Sequence, residues 1–413
     1  MKFSKVSQYV LVSTLGLLAA SLLSGCLIVT VDYVFVANSS SASTGTTGAI
    51  QTYAVDSESG AMRPVDTPVY SGGSSPVAMA VSGDYANLYV ANQGNDTVVH
   101  FLVNGDGSLT QKDSVTLSFK PAALAVNTAG TNATATALYV VGQNPGTTPA
   151  TAELAVYSLS SGALGSVVYS TPLAVPGFTT DAMAATGVTV LANNSAVYVT
   201  AYDQSAYNPG GTVTSTANPG WLFGFSTGTG GTLAPTNGSP YQAGVKPTAL
   251  AADPTSRFLY ATDYASNQLI GYTLQSNEVP EFMVAGPFKT GSEPTAITID
   301  PRGLYIYVAD ALSSNVSAYT ITLSTGIPSA VVNVTGSSST TTDTQPVSIL
   351  VDPALGRYVY TANYLANDVS GFRLNPNTGA LSFAQSTPYP TGVNPAAIVA
   401  VPHGNHAVQS VTP

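Results

Sequence analysis

One cysteine, three histidines and one tryptophan in 413 residues leave this chain short of the side chains that most reactive sites use. The lone thiol, Cys26, excludes an intramolecular disulfide. His100, His403 and His406 fall in no spacing with cysteine or carboxylate that suits a metal, and no motif asks for another cofactor, so none is expected. Gly-x-Ser-x-Gly, the nucleophile elbow, is missing. Charge is scarce too: 8% of residues carry it, with 11 Lys and Arg against 21 Asp and Glu and a net charge of −10. Nucleic acid needs clustered Lys and Arg and is not expected as a partner. Docking by charge on anionic lipid is excluded for the same reason.

The first residues form a unit of their own. Lys2 and Lys5 precede an apolar run from Tyr9 to Leu23, which ends at Leu23-Ser24-Gly25-Cys26. The run is short for a spanning helix, and small residues leading into a cysteine resemble a bacterial lipobox. Residues 1–25 are therefore expected to leave as a signal peptide, with Cys26 lipidated and the membrane as a partner. Each buried CH₂ of an acyl chain contributes about 0.8 kcal/mol to such an anchor. Losing Lys2 and Lys5 would take the charge from −10 to −12. The expected location is the cell envelope, on the periplasmic or cell-surface side, with the folded body held close to the bilayer because no Gly/Ser linker follows Cys26.

Beyond Cys26 the dominant signal is a repeat. A strand of Leu-Tyr-Val-Ala-Asn type occurs seven times, around Phe35, Tyr89, Tyr139, Tyr198, Tyr260, Tyr307 and Tyr360. A second strand follows each, marked by Tyr53, Phe101, Tyr157, Phe225, Tyr272, Tyr319 and Phe372. Turns of Gly-x-Leu type come next, as at Gly107 and Gly379, where glycine supplies the positive φ of a tight hairpin. A strand of Pro-x-Ala type precedes the tyrosine strand, as at Pro76, Pro121, Pro247, Pro294, Pro346 and Pro395, with Asp181-Ala182-Met183 a degenerate member. Small residues suit the innermost strand of a sheet crowded around an axis.

The two chain ends decide the architecture. Phe35 has no small-residue strand before it, and Pro395–Val401 has no tyrosine strand after it. Joining them completes a seventh sheet and closes a ring without open edges. The expected fold is all-β: a seven-bladed β-propeller over residues 26–402, its first blade closed by the C-terminal strand, with 403–413 as a tail carrying His403 and His406.

This cycle of motifs resembles the lactonase-type seven-bladed propellers, the class that includes 6-phosphogluconolactonase, and the related YVTN-type repeats. The resemblance covers Asp32 to Val401 and implies the fold. It would imply hydrolysis of a sugar lactone. The Gly-Pro-Arg-His-like inner strand and Asp-Leu-Gly-like segment of catalytic members do not stand here, where inner strands read Lys246-Pro247-Thr248-Ala249 and Glu293-Pro294-Thr295-Ala296. No catalytic residue carries over.

His100 reads as a half-exposed strand histidine, on the opposite face from Phe101. Asp263 and Asp310 stand where Asn38, Asn92 and Asn363 stand in other repeats, which suits turn capping. Asp203 and Glu153 remain as loop carboxylates. Four residues after each strand aromatic lie Ser39, Gln93, Gln143, Tyr202, Tyr264, Ala311 and Tyr364, expected to ring one mouth of the axial channel. The longest insertion follows Tyr202 and carries Tyr207 and Trp221. Tyrosines and amides suit a neutral polar ligand, so Gln93, Gln143, Tyr202, Trp221, Tyr264 and Tyr364 are the expected ligand-binding set. Two functions follow: a non-catalytic envelope module that binds a glycan or an envelope protein, or, as the alternative, a lactonase acting on a sugar lactone. A lactonase predicts a charged cluster at the channel mouth, and glycan binding predicts stacked tyrosines there.

Overall fold

The computed structural model describes residues 29–40, 47–127, 136–148, 150–176, 182–205, 207, 219–333 and 335–404. These form seven antiparallel sheets and one 3₁₀ turn, Thr229–Gly231. In the fifth blade the order from axis to rim is Pro247–Ala252, Phe258–Asp263, Gln268–Leu274, then an outer strand split into Pro280–Phe282 and Phe288–Lys289. Blades 2, 3, 4, 6 and 7 start with inner strands Pro76–Val81, Lys120–Val126, Met183–Val190, Pro294–Ile299 and Pro346–Val351. Blade 1 takes Thr30–Ser40, Thr47–Asp56 and Met62–Pro64 from the start of the chain and its inner strand, Val393–Pro402, from the end. The closing register sets Val34 opposite Ala400 and Val36 opposite Ile398. The last inner strand touches those of both blade 7 and blade 2, so the ring is closed as the two chain ends required.

The apolar core is not one mass. It is seven slabs, one between each pair of neighbouring blades. The tyrosine strands therefore bury both faces, which is why they are continuously buried rather than alternating. Fully burying one such side chain contributes about 1.5–3 kcal/mol. The repeated tyrosine also has a polar task. Its hydroxyl donates to a turn carbonyl of the next blade: Tyr89 to Gly162, Tyr198 to Glu278, Tyr260 to Gly326, Tyr307 to Gly379 and Tyr360 to Gly60. Two motifs that look independent in sequence are thus halves of one interblade contact. Gly326 adopts φ +74°, and a Cβ there would lie 2.3 Å from the Phe258 ring, so its turn needs glycine twice over.

Burial of both blade faces corrects two expectations about histidine. His100 is 3% exposed, not half exposed. Its Nδ1 lies 3.0 Å from Asp113 Oδ2, its Nε2 2.9 Å from Asn87 Oδ1, and its ring stacks on Tyr89. His403, assigned to the tail, packs edge-on against Tyr33 with Nδ1 3.2 Å from the Thr30 carbonyl oxygen. His406 lies outside the described residues.

Every inner strand starts at one face of the disc, and every tyrosine strand ends there. The opposite face carries the turns between them, capped by Asp253, Asp300 and Asp352, whose carboxylates accept backbone N–H groups of Phe258, Leu304 and Tyr358. Between the faces runs a channel of about 310 Å³ lined by small residues of all seven inner strands, Ala78, Ala122, Gly187, Ala249, Ala296, Ser348 and Ala396 among them.

Candidate functional site at the channel mouth

At the first face the chain enters each inner strand and leaves each tyrosine strand, and backbone hydrogen bonds join the two sets. N–H groups of Gln93, Gln204, Tyr264, Ala311 and Tyr364 donate to carbonyls of Ser75, Ala182, Lys246, Glu293 and Gln345. The mouth is therefore built from two rings. One was expected from the residues after the strand aromatic. The other consists of the residues just before the inner-strand prolines, and it was missed. Ser75, Glu293, Gln345 and Asn394 of this second ring all have φ between +50° and +61°, a sparsely populated region for non-glycine residues that recurs because each bends the chain into its strand.

Lys246 and Glu293 bring charge to this mouth, in the sector shared by blades 4, 5 and 6. Both are anchored by the blade-5 hairpin. The buried Asp263 accepts the backbone N–H groups of Val245 and Lys246 at 3.0 and 2.9 Å and the Gln268 amide at 3.0 Å. Asn267 Oδ1 accepts the N–H of Glu293 at 2.7 Å. Turn capping was the expected role of Asp263, and here it holds the backbone of Val245 and Lys246. The Lys246 ammonium sits over three rings, with centroids at 4.1 Å (Tyr264), 4.8 Å (Tyr207) and 5.5 Å (Tyr202). Tyr202 and Tyr207 meet edge to face at 5.7 Å.

Burial lowers the Lys246 ammonium from the usual lysine range, and the Glu293 carboxylate partly offsets it. Burial, then Glu293, raise the Tyr264 hydroxyl; Tyr207 is raised by burial and by the same carboxylate. Chemically the sector offers a carboxylate that can take a proton, an ammonium that can stabilise or protonate an oxyanion, and aromatic walls.

The other expected residues are dispersed. Gln143 bridges blades 3 and 4 by donating to Gln204 Oε1 at 2.6 Å, and Gln93 bridges blades 2 and 3 by donating to the Pro121 carbonyl at 3.0 Å. Tyr364 stands on the mouth in blade 7, its carbonyl accepting from Asn394. Trp221, opposite Ala201 in the next strand of blade 4, is half-buried against the core between blades 3 and 4. Glu153 accepts the Ser170 hydroxyl on the strands of blade 3, and Asp203 caps the turn at Ser205.

A family model described as lactonase, seven-bladed beta-propeller, matches residues 22–164 and 234–409, most of the chain. No curated protein matches. Among solved structures, the chain is similar to a putative 6-phosphogluconolactonase from Bacteroides fragilis, with TM-score 0.70 and 14% identity, covering 92% of this chain and 100% of that one. It is also similar to a periplasmic gluconolactonase from Pseudomonas aeruginosa, with TM-score 0.69 and 15% identity over 90% and 99% of the two chains. At such identities the structures establish a shared fold. The family match overturns the expectation of a non-catalytic binding module and favours the alternative reading. That expectation rested on the missing Gly-Pro-Arg-His-like and Asp-Leu-Gly-like segments and on a mouth read as neutral, and the ring before the prolines makes the mouth charged.

Proposed function

The chain belongs to the lactonase family of seven-bladed β-propellers, and from that premise we propose that it hydrolyses a lactone at the channel mouth between blades 4, 5 and 6. The observation that carries this reading is the meeting of Lys246 and Glu293 beside Tyr202, Tyr207 and Tyr264. Glu293 takes a proton from water as its oxygen attacks the lactone carbonyl. The oxyanion that forms faces the Lys246 ammonium, which desolvation has made a readier proton donor. The ring C–O bond then breaks, and the departing alkoxide takes a proton from Lys246, leaving a hydroxy acid. Asp263 and Asn267 position the two catalytic residues through their backbones. Tyrosine rings suit the apolar faces of a sugar ring.

The test is the rate of acid release from glucono-1,5-lactone, measured against spontaneous opening. A saturable excess is expected, with Glu293→Gln and Lys246→Met each lowering kcat about 10²-fold or more. No excess rate in the unaltered protein would end this reading. We further propose that the protein is exported to the cell envelope and tethered through Cys26, which lies outside the described residues. The lipobox-like Leu23-Ser24-Gly25-Cys26 supports it, and membrane association that persists in Cys26→Ser would refute it.

A further inference from the structure

We infer that the substrate is an uncharged lactone rather than a phosphorylated one, and that Tyr202 and Tyr207 of blade 4 select it. This rests on the mouth being the hydrolytic site. A phosphate dianion is bound best by paired cations or by the planar fork of arginine, and the placement of basic residues runs against that here. Arg257, Arg302 and Arg357 lie in the turns of the opposite face, where Arg302 pairs with Asp300 at 2.6 Å and Arg257 donates to the Leu323 carbonyl. Arg63, Lys112, Lys289 and Arg373 lie on third and outer strands at the rim. Among the described residues, only Lys120 and Lys246 belong to the mouth rings, and they stand two blades apart.

Lys246 is already engaged. Three tyrosine rings surround its ammonium, and Glu293 lies beside it. A dianion brought to this ammonium would also meet that carboxylate and the field of a chain with net charge −10. Apart from Lys120 in blade 3, the rest of the mouth offers neutral hydrogen-bonding groups, including Ser75, Gln345, Asn394, Gln93 and Tyr364. These match the hydroxyls of a sugar lactone.

The tyrosines add a second observation. The family model skips residues 165–233, which hold all of blade 4 from its inner strand to Leu233. Tyr202 and Tyr207 thus come from the part of the ring that the shared pattern does not dictate. A wall supplied by that segment can set selectivity while Glu293 and Lys246 stay in place.

The experiment compares kcat/KM for glucono-1,5-lactone and its 6-phosphate in the unaltered protein and in Tyr207→Ala. Expected is at least a tenfold preference for the unphosphorylated lactone. Tyr207→Ala should raise KM for that lactone severalfold, a larger change than any in kcat. Equal or better turnover of the phosphate ester would overturn the inference and leave lactone hydrolysis standing. An unchanged KM in Tyr207→Ala would remove the blade-4 wall from the argument. Hydrolysis of neither lactone above background would instead refute the hydrolytic reading itself, and this inference with it.

Discussion

Asp310 ends the tyrosine strand of blade 6 with no exposed surface. Its Oδ2 accepts the Ser317 hydroxyl at 2.7 Å, and its Oδ1 has no partner. Burial raises its pKa from 3.8 to about 7, against smaller opposing contributions from hydrogen bonds of Ser317 and Gly291. The folded pKa is raised, so below about pH 4 both states carry the proton and no penalty exists. As pH climbs toward 7 the unfolded chain releases a proton that the folded chain keeps, and stability falls. Three units at about 1.36 kcal/mol each set an upper bound of about 4 kcal/mol by pH 8. Asn38, Asn92 and Asn363 occupy the equivalent place in blades 1, 2 and 7, so the site has a known neutral occupant. Asp310→Asn is expected to gain about 1–3 kcal/mol at pH 8 and little at pH 4. Urea unfolding at both pH values measures it. A variant that is less stable at pH 8, or that gains equally at both, would refute the claim that the buried charge is the cost.

Other tests probe the ring and its closure. Tyr260→Phe keeps the packing but leaves the Gly326 carbonyl without its donor, and should cost about 1–3 kcal/mol in urea unfolding. Blade 1 carries Phe35 at the matching position, so no clash is introduced. Thr186, Thr248 and Thr295 each donate to the proline carbonyl of the following blade, at 2.8, 2.7 and 2.9 Å; Thr248→Val should lower stability by about 1 kcal/mol without changing KM, measured by unfolding and lactone kinetics together. Asp32, buried with neither oxygen paired, is pushed well above the carboxylate range by burial and then by Asp352. By the same sign argument Asp32→Asn should stabilise the blade 1–blade 7 closure at pH 8 and not at pH 4, read from the pH dependence of the thermal midpoint.

Most of the architecture is legible in the sequence. Recurring tyrosine strands, glycine turns and proline-led inner strands repeat because every blade solves the same packing problem, and the unmatched strand at each end of the chain could pair only with the other. Local sequence states which residues like strands and turns, and seven repetitions remove the ambiguity of any one. Half of the mouth was legible by the same counting, since Tyr202, Tyr264 and Tyr364 hold matching positions. Its charge was not. Lys246 and Glu293 are 47 positions apart and look like flanks of proline strands; only the ring brings them to neighbouring blades and turns both toward Tyr207 and Tyr264. Tertiary structure also decided the fate of His100, because a strand of alternating pattern is half exposed in an open sheet but buried where blades cover both its faces. The chain's periodicity determined which blade each residue belongs to. Closure of the ring determined which residues meet, because a contact between blades depends on the position of whole sheets and leaves no mark in the residues beside it.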